Sequence, residues 1–352
     1  MTYLLRVNLD IKGTKPQDSP RFADALESIK DTAKPGRRVV VLAHRGRPKG
    51  KDTKLSLKVF AKPLEKGLKR KVTFIPHFDF EKITKLVKES PLGSIFLLEN
   101  VRFLPGETKG DLALAKKLAS LGDRYINDDF PTSHHFEVSN VTLAKLLPSS
   151  LGINFKMELK QLDKIMRSPQ RPFVLVIGGA KIDDKLGTIE NLFPKVDSIL
   201  LGGGPANTLL KARGVKIGKS LYDASALKDI GSLSQKQKLV TPIDWRVKKD
   251  AILDIGPETE KLYGDIVSEA KTIVWNGPMG KVEDKDFAGG TKALWRAILA
   301  NKKANIVVGG GDTVSAIALP KRLPKNVFVS TGGGAMLTYL AGGKLPALEA
   351  IN

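Results

Sequence analysis

Four short apolar runs in the second half of the chain each stop at a cluster of glycines. FVLVI runs into Gly178-Gly179, SILL into Gly202-Gly203-Gly204, NIVV into Gly309-Gly310-Gly311, and VFVST into Gly332-Gly333-Gly334. Continuous apolar runs of this length, bounded by turn residues, read as buried parallel strands, and helical patterns follow each cluster. A strand–glycine–helix unit lets backbone N–H groups approach an anion at a helix N-terminus. Open α/β sheets bind ligands along that same edge. The pattern therefore restricts the fold and points to a phosphate-rich ligand.

The first half keeps the alternation without the glycines. LLRVNL, VVVLA, VTFIPH, SIFLLE and RYIN read as strands, while RFADALESIKDTA, LSLKVFAKPLEKGL and DLALAKKLASL carry apolar residues at helical spacing. In the second half KLVTP and TIVWN add strands, and NTLLKAR, TEKLYGDIVSEA and TKALWRAILA add helices. Short connections between alternating elements predict an α/β fold of two doubly wound, mostly parallel sheets. A length of 352 residues accommodates two domains, each with its own core. Between them SLGINFKMELKQLDKIMRSPQRP contains one amphipathic helix and a Pro-containing end, the pattern of an interdomain helix. The expected limits are a first domain over 1–155, a hinge helix over 156–170 and a second domain over 171–335. The tail, 336–352, is too short for a domain and is expected to cross back to the first.

Composition narrows the class. With 41% hydrophobic and 27% charged residues, and no apolar run long enough to span a bilayer, the chain reads as a soluble protein. The start, MTYLLRVNLD, lacks the apolar core and cleavage site of a secretory signal. The absence of cysteine excludes disulfides, thiolate metal sites and a cysteine nucleophile, and fits a cytoplasmic location. A formal net charge of +21 suggests nucleic acid as a partner. The lysines are scattered, however, aromatics make up only 6%, and no RNA-binding signature or basic arm is present. No dedicated nucleic-acid partner is expected, and most of the charge reads as a solvated face.

Two motifs mislead. RGVKIGKSL approaches a phosphate-binding P-loop, but Gly214 to Gly218-Lys219-Ser220 is one residue short and follows a helix instead of a strand. His134 and His135 would diverge on an extended chain and share no metal-like spacing with a carboxylate.

The better candidates lie at strand ends. In the first half these are polar or basic: Asn8 and Asp10 on one face of an extended strand, His44 and Arg47 after VVVLA, Arg102 after SIFLLEN, and Arg21 opening the first helix. Guanidinium forks match phosphate and carboxylate bidentately. In the second half Lys181 and Lys185 are four apart, on one face if a helix begins there, where two ammonium groups can neutralise a transferring phosphoryl group. TIVWNGPMGKVE places Asn276 and Glu283 within reach of a sugar or base, and GGGDT sets Asp312 at a helix start, either as a cap or as a ligand for Mg2+.

Together these segments resemble the phosphoglycerate kinases, and the match runs in order along nearly the whole chain. RVNLD, HRGRPKG, LLENVRFLPGET, INDDFPTSHH, GGAKIDDKLGTIENL, LLGGGPANTLL, VWNGPMGKVE, GGGDT and STGGGAMLTYLAGGKLPALEAI carry it. The resemblance implies reversible phosphoryl transfer between 1,3-bisphosphoglycerate and Mg-ADP, giving 3-phosphoglycerate and Mg-ATP, by a monomer whose hinge closes two domains. It implies substrate-side roles for Asn8, Asp10, Arg21, His44, Arg47, Arg102, His134 and His135. It implies catalytic roles for Arg21, Lys181, Lys185, Gly310 and Gly333. Nucleotide contacts are implied at Gly179, Lys185, Gly203, Asn276, Pro278, Glu283, Gly309, Gly310, Gly311, Asp312 and Thr313, with Asp312 near Mg2+. The alternative is a basic nucleotide- or nucleic-acid-binding protein that kept the fold with weakened kinase activity.

Departures from the family pattern cluster in the first half. Asn8 and Asp10 reverse its Asp-then-Asn order, which on an extended strand moves the negative charge about 7 Å. His135 stands where the family has a substrate-binding arginine, and Pro131 where glycine is usual. Pro205 replaces a methionine-like residue in a position that suits the first turn of a helix. Between KSLYDAS and DIGPE the chain is also shorter than the family norm.

Overall fold

Alternate residues of the first-half strands enter two separate cores, as a sheet buried on both faces requires. Leu4, Val40, Leu42, Phe96 and Leu98 pack on one side, and Leu5, Val39, Val41, Ile95 and Leu97 on the other. The computed structural model describes residues 1–11, 17, 19–233, 237–320 and 322–351. Packing divides the chain into unit 1, Met1–Leu159 with Lys344–Asn352, and unit 2, Lys160–Gly343.

Unit 1 is built on β1 (Thr2–Val7), β2 (Arg38–Leu42), β3 (Val72–Ile75), β4 (Ile95–Leu98), β5 (Arg124–Asp128) and β6 (Ser149–Leu151), in the order β3-β4-β2-β1-β5-β6. Every pairing in this sheet is parallel. The chain leaves β1 toward β2 and later crosses to β5 on the other side, so the carboxyl ends of β1 and β5 flank the switch in direction where such sheets hold ligands. Helix Ile153–Arg167, near the expected hinge, starts where Asp128 at the end of β5 accepts from the Phe155 amide at 2.7 Å; the division between units falls inside this helix. In the tail, Ala347 and Ala350 are buried in the unit 1 core, and the Ala347 amide donates to the Ser133 carbonyl at 3.1 Å.

Unit 2 contains β7 (Phe173–Ile177), β8 (Ser198–Leu201), β9 (Leu239–Val240), an antiparallel hairpin of β10 (Trp245–Lys248) and β11 (Ala251–Ile255), and then β12 (Thr272–Asn276), β13 (Asn305–Gly309) and β14 (Val327–Val329). The six-stranded sheet has the order β14-β13-β12-β7-β8-β9 and is parallel throughout. Its direction switches between β7 and β12. Helix Gly333–Leu340 runs through residue 336, where the sequence suggested a boundary. It packs on helix Asp183–Leu192, whose Thr188 and Asn191 side chains donate to the Leu337 and Leu340 carbonyls at 2.9 and 2.6 Å.

The α/β class is as the sequence predicts, with local differences. Helix Phe80–Glu89, capped by Asp79 and burying Ile83 and Val87 four residues apart, was not expected. Nor were β6 and the β10–β11 hairpin, and KLVTP contributes only the two residues of β9. The P-loop look-alike is a structural turn: Gly218 has φ +54° and bridges to Ala251, and the Lys219 amide donates to the Asp250 carbonyl at 2.6 Å.

Candidate active-site residues in each unit

At the carboxyl edge of the unit 1 sheet a charged side chain sits in the middle of an apolar strand. Arg6, on β1, is fully buried and pairs with Asp129 at 2.8 Å, just past the end of β5. Its other donors reach the Ser139 hydroxyl at 2.9 Å, the Val7 carbonyl at 2.6 Å and the His44 Nδ1 at 2.8 Å. A buried cation needs such compensation. Burial pushes the Asp129 carboxyl up, but the charge of Arg6, with hydrogen bonds from Thr132 and Asn8, outweighs it and holds the group at about 2. Burial, then Arg6, drives His44 well below the usual imidazole range, so it is neutral, with Nδ1 accepting from Arg6 and the proton on Nε2.

Asn8 and Asp10 lie beyond β1, which ends at Val7, so they do not share a strand face. The Asn8 side-chain Oδ1 accepts from the Asp10 amide at 3.1 Å, a local turn, while its Nδ2 donates to Asp129 at 2.8 Å across the β1–β5 switch. Asp10 accepts from the Gly46 amide at 2.8 Å, and its carbonyl accepts from Arg21 at 2.7 Å. The Gly46 carbonyl in turn receives Arg102 at 2.8 Å. Arg47 is exposed. A cleft of about 850 Å³ opens beside these groups, with Arg47, Arg102 and His135 in its lining. His134 and His135 do not diverge. A 3-10 turn, Phe130–Thr132 with Pro131 inside it, precedes them, and their rings stack with centroids 3.9 Å apart. Burial, then His135, pushes His134 down to about 4, and its Nδ1 is buried with no hydrogen-bond partner.

In unit 2 the first two glycine clusters serve a different purpose from the last two. The Gly178, Gly179, Gly203 and Gly204 amides donate to the carbonyls of Asn276, Pro278, Met279 and Gly179, all at 2.7–3.0 Å. Gly179, Gly203 and Gly277 have φ of +91°, +56° and +92°, and a Cβ on Gly178, Gly204 or Gly277 would overlap a facing carbonyl oxygen. These glycines let three loops, after β7, β8 and β12, lie backbone against backbone. The amides of Gly179 and Gly203 and the Pro278 carbonyl are thus engaged in these loop-to-loop hydrogen bonds.

The later clusters are arranged differently. Helices Gly311–Ala316 and Gly333–Leu340 begin side by side, with the position of a Cβ on Gly333 3.6 Å from the Gly310 Cα. Gly309 ends β13, and Gly310, at φ +98°, faces the Asn276 amide, whose Nδ2 lies 3.1 Å from where a Cβ would stand. Asn276 is buried and that Nδ2 has no partner. Thr313 secures the turn by accepting from the Gly277 amide at 2.8 Å. Lys185 is buried, its ammonium donating to the Lys181 carbonyl at 2.9 Å and lying 3.9 Å from the Cβ position of Gly179. Because the helix begins at Asp183, exposed Lys181 stands in the preceding turn and shares no helix face with Lys185. Glu283 is exposed in the turn after β12. Asp312 is exposed in the first turn of its helix and does not cap it through its side chain. Among the described residues no cluster of three or more His, Cys, Asp or Glu could hold a metal ion.

The family model for phosphoglycerate kinase matches residues 2–343. The chain belongs to the phosphoglycerate kinase family. It is 40% identical over 377 residues to the phosphoglycerate kinase of Pseudothermotoga lettingae, covering 99% of this chain and 95% of that one. It is also 40% identical to that of Herpetosiphon aurantiacus, over 99% and 95% of the two chains. Among solved structures, phosphoglycerate kinase from Pyrococcus horikoshii superimposes with a TM-score of 0.88 at 30% identity, and that from Coxiella burnetii with 0.82 at 34%, each covering 99% of this chain and 95% of the other. Within this family member, sequence reasoning overlooked Arg6, Asp129 and Glu137. A signal existed, since an arginine inside LLRVN and paired acids in INDDF imply buried charges that must find each other.

Proposed function

We propose that this member of the phosphoglycerate kinase family catalyses reversible transfer of the acyl phosphate of 1,3-bisphosphoglycerate to ADP. The observation that carries the reading is the unit 1 cleft, where Arg47, Arg102 and His135 converge beyond the carboxyl ends of β2, β4 and β5. That lining suits a small acid bearing phosphate and carboxylate. The nucleotide falls to unit 2, where a buried amide without a partner faces two adjoining helix N-termini.

In the direction of ATP formation an oxygen of the ADP β-phosphate attacks the acyl phosphorus. A new P–O bond forms, the bond to the acyl oxygen breaks, and its electron pair leaves on the carboxylate. No proton has to move, so neutral His44 is a structural acceptor for Arg6 and not a base. Catalysis then consists of alignment and charge neutralisation. Within unit 1, Arg21 is assigned to the acyl phosphate; within unit 2, Lys181 and the amides of Gly310, Gly311 and Gly333 are assigned to neutralising charge on the phosphoryl oxygens. A lone exposed carboxylate beside amide-rich turns fits Mg2+, which binds through one or two carboxylates plus substrate phosphates. Asp312 would hold it, and the ion supplies neutralisation of phosphate charge.

A coupled assay of ATP formation from 1,3-bisphosphoglycerate and ADP tests the reading, which an inactive wild-type protein would overturn. Lys181→Ala is expected to lower kcat by about 10²–10³, the usual cost of losing one preorganised transition-state donor. Near-native turnover in that variant would remove Lys181 from its assigned role.

A further inference from the structure

Arg102 is expected to meet the substrate, yet much of its guanidinium is already engaged. Nη2 donates to the Glu137 Oε1 at 2.6 Å and Nη1 to the Gly46 carbonyl at 2.8 Å, while Nε is buried without a partner. The two side chains are 9% and 5% exposed. The second oxygen of Glu137 lies 3.5 Å from Asn140 Nδ2 and 3.8 Å from the Arg6 guanidinium. Glu137 therefore holds one orientation and faces two cations. It also lines the same cleft as Arg47, Lys49, Arg102 and His135.

We infer that Glu137 is a specificity-determining residue of this cleft, fixing Arg102 as an orienting donor while offsetting its charge toward multiply anionic ligands. The inference rests on the reading of unit 1 as the 3-phosphoglycerate site. A charge-assisted pair this short is geometrically exacting, so Arg102 is well placed to align a ligand. The carboxylate on its far side repels the same anion. Affinity for a multiply charged ester is thereby set lower than the count of basic residues suggests, and Arg47 with His135 carries more of the capture.

Glu137→Gln keeps the size and one acceptor for Arg102 and removes the charge. Calorimetric titration at low salt is expected to show 3-phosphoglycerate binding about fivefold to tenfold tighter, as relief of a nearby like charge allows. KM should fall by the same factor, and log Kd should depend more steeply on log salt, which a merely structural role would not produce. The gain should vanish in the Arg102→Met background. Unchanged or weaker binding by folded Glu137→Gln, or a gain that survives without Arg102, overturns the inference. Arg102→Met alone gives a second route that does not require the glutamine variant to fold: Kd should weaken less than about threefold, with the larger loss in kcat. A loss of affinity beyond tenfold would show that the charge of Arg102 is not offset. Should the wild type bind 3-phosphoglycerate but form no ATP, the functional reading fails and this one stands. If neither protein binds the ester, the inference fails.

Discussion

Glu107 lies fully inside unit 1, where its carboxylate accepts from the Ser139 amide at 3.3 Å and from the Ser139 hydroxyl. Burial is the main cause that lifts it to about 7, against the pull of Ser139 and Arg6. A carboxyl raised above its unfolded value of 4.5 binds an extra proton in the folded state, so its contribution is full below about pH 4.5 and is lost as pH rises through 7. His134, held near 4 against an ordinary 6.5, acts oppositely: its contribution is full above 6.5 and is lost as pH falls toward 4. Between about pH 6.5 and 4.5 the two oppose each other. Glu107→Gln removes one side of this balance. Relative to wild type, unit 1 of the variant should gain on the order of 2–3 kcal/mol between pH 5 and pH 8. Amide exchange in β1 and β5 reads unit 1 separately from unit 2; a pH-independent difference would show that Glu107 does not titrate there. Asn276 allows a different test. Its unpartnered Nδ2 is a liability of about 1–3 kcal/mol until something accepts from it. Asn276→Ala should leave ligand-free thermal stability unchanged or raised while weakening ADP binding about tenfold in a calorimetric titration. Undiminished ADP affinity would take Asn276 out of the nucleotide site.

Elements buried on both faces were legible because their apolar runs are unbroken, as in FVLVI and VVVLA, and the two sheets follow from them. β6 was not, because Ser149–Leu151 carries no apolar signal and forms by pairing with β5. The glycine clusters were legible as turns but not in purpose. Whether an amide faces a ligand or another loop depends on what lies opposite, and the loop after β12 that receives Gly178 and Gly179 is distant in sequence. In unit 1 the sequence placed candidate side chains after strands, a local property, whereas the pairing of Arg6 with Asp129 depends on the order of strands. The loop packing predicts unequal costs for two formally similar substitutions. Gly277 (φ +92°) faces the Gly178 carbonyl, and Gly214 (φ +79°) faces open space. Gly214→Ala should cost roughly 1 kcal/mol from backbone conformation alone, while Gly277→Ala, which must also push the facing loops away from each other, should cost about 3 kcal/mol or more. Trp245, Trp275 and Trp295 all belong to unit 2, so tryptophan fluorescence during denaturation reports the element concerned. Equal destabilisation by the two alanines would mean that the loops relax freely.

At the scale of the whole molecule the excess of positive charge remains, 58 basic against 37 acidic side chains. Few of these groups touch either candidate site, so their effect on an anionic ligand acts mainly at a distance. Such fields raise encounter rates and are screened within a Debye length, about 10 Å at 0.1 M salt. Groups that contact the migrating phosphoryl group act at short range and from partly buried positions, where salt screens them much less. The two contributions therefore separate in kinetics. Raising KCl from about 20 to 200 mM should lower kcat/KM for 3-phosphoglycerate and for ATP several-fold, with kcat changing less than about twofold. A polyanion such as duplex DNA should inhibit competitively at the low-salt end and lose its effect at the high end, as counterion release requires. If kcat fell in parallel with kcat/KM, the distributed charge would be acting on the chemical step itself. DNA affinity that persisted at high salt would instead mark a built nucleic-acid surface and favour a binding role for the charge.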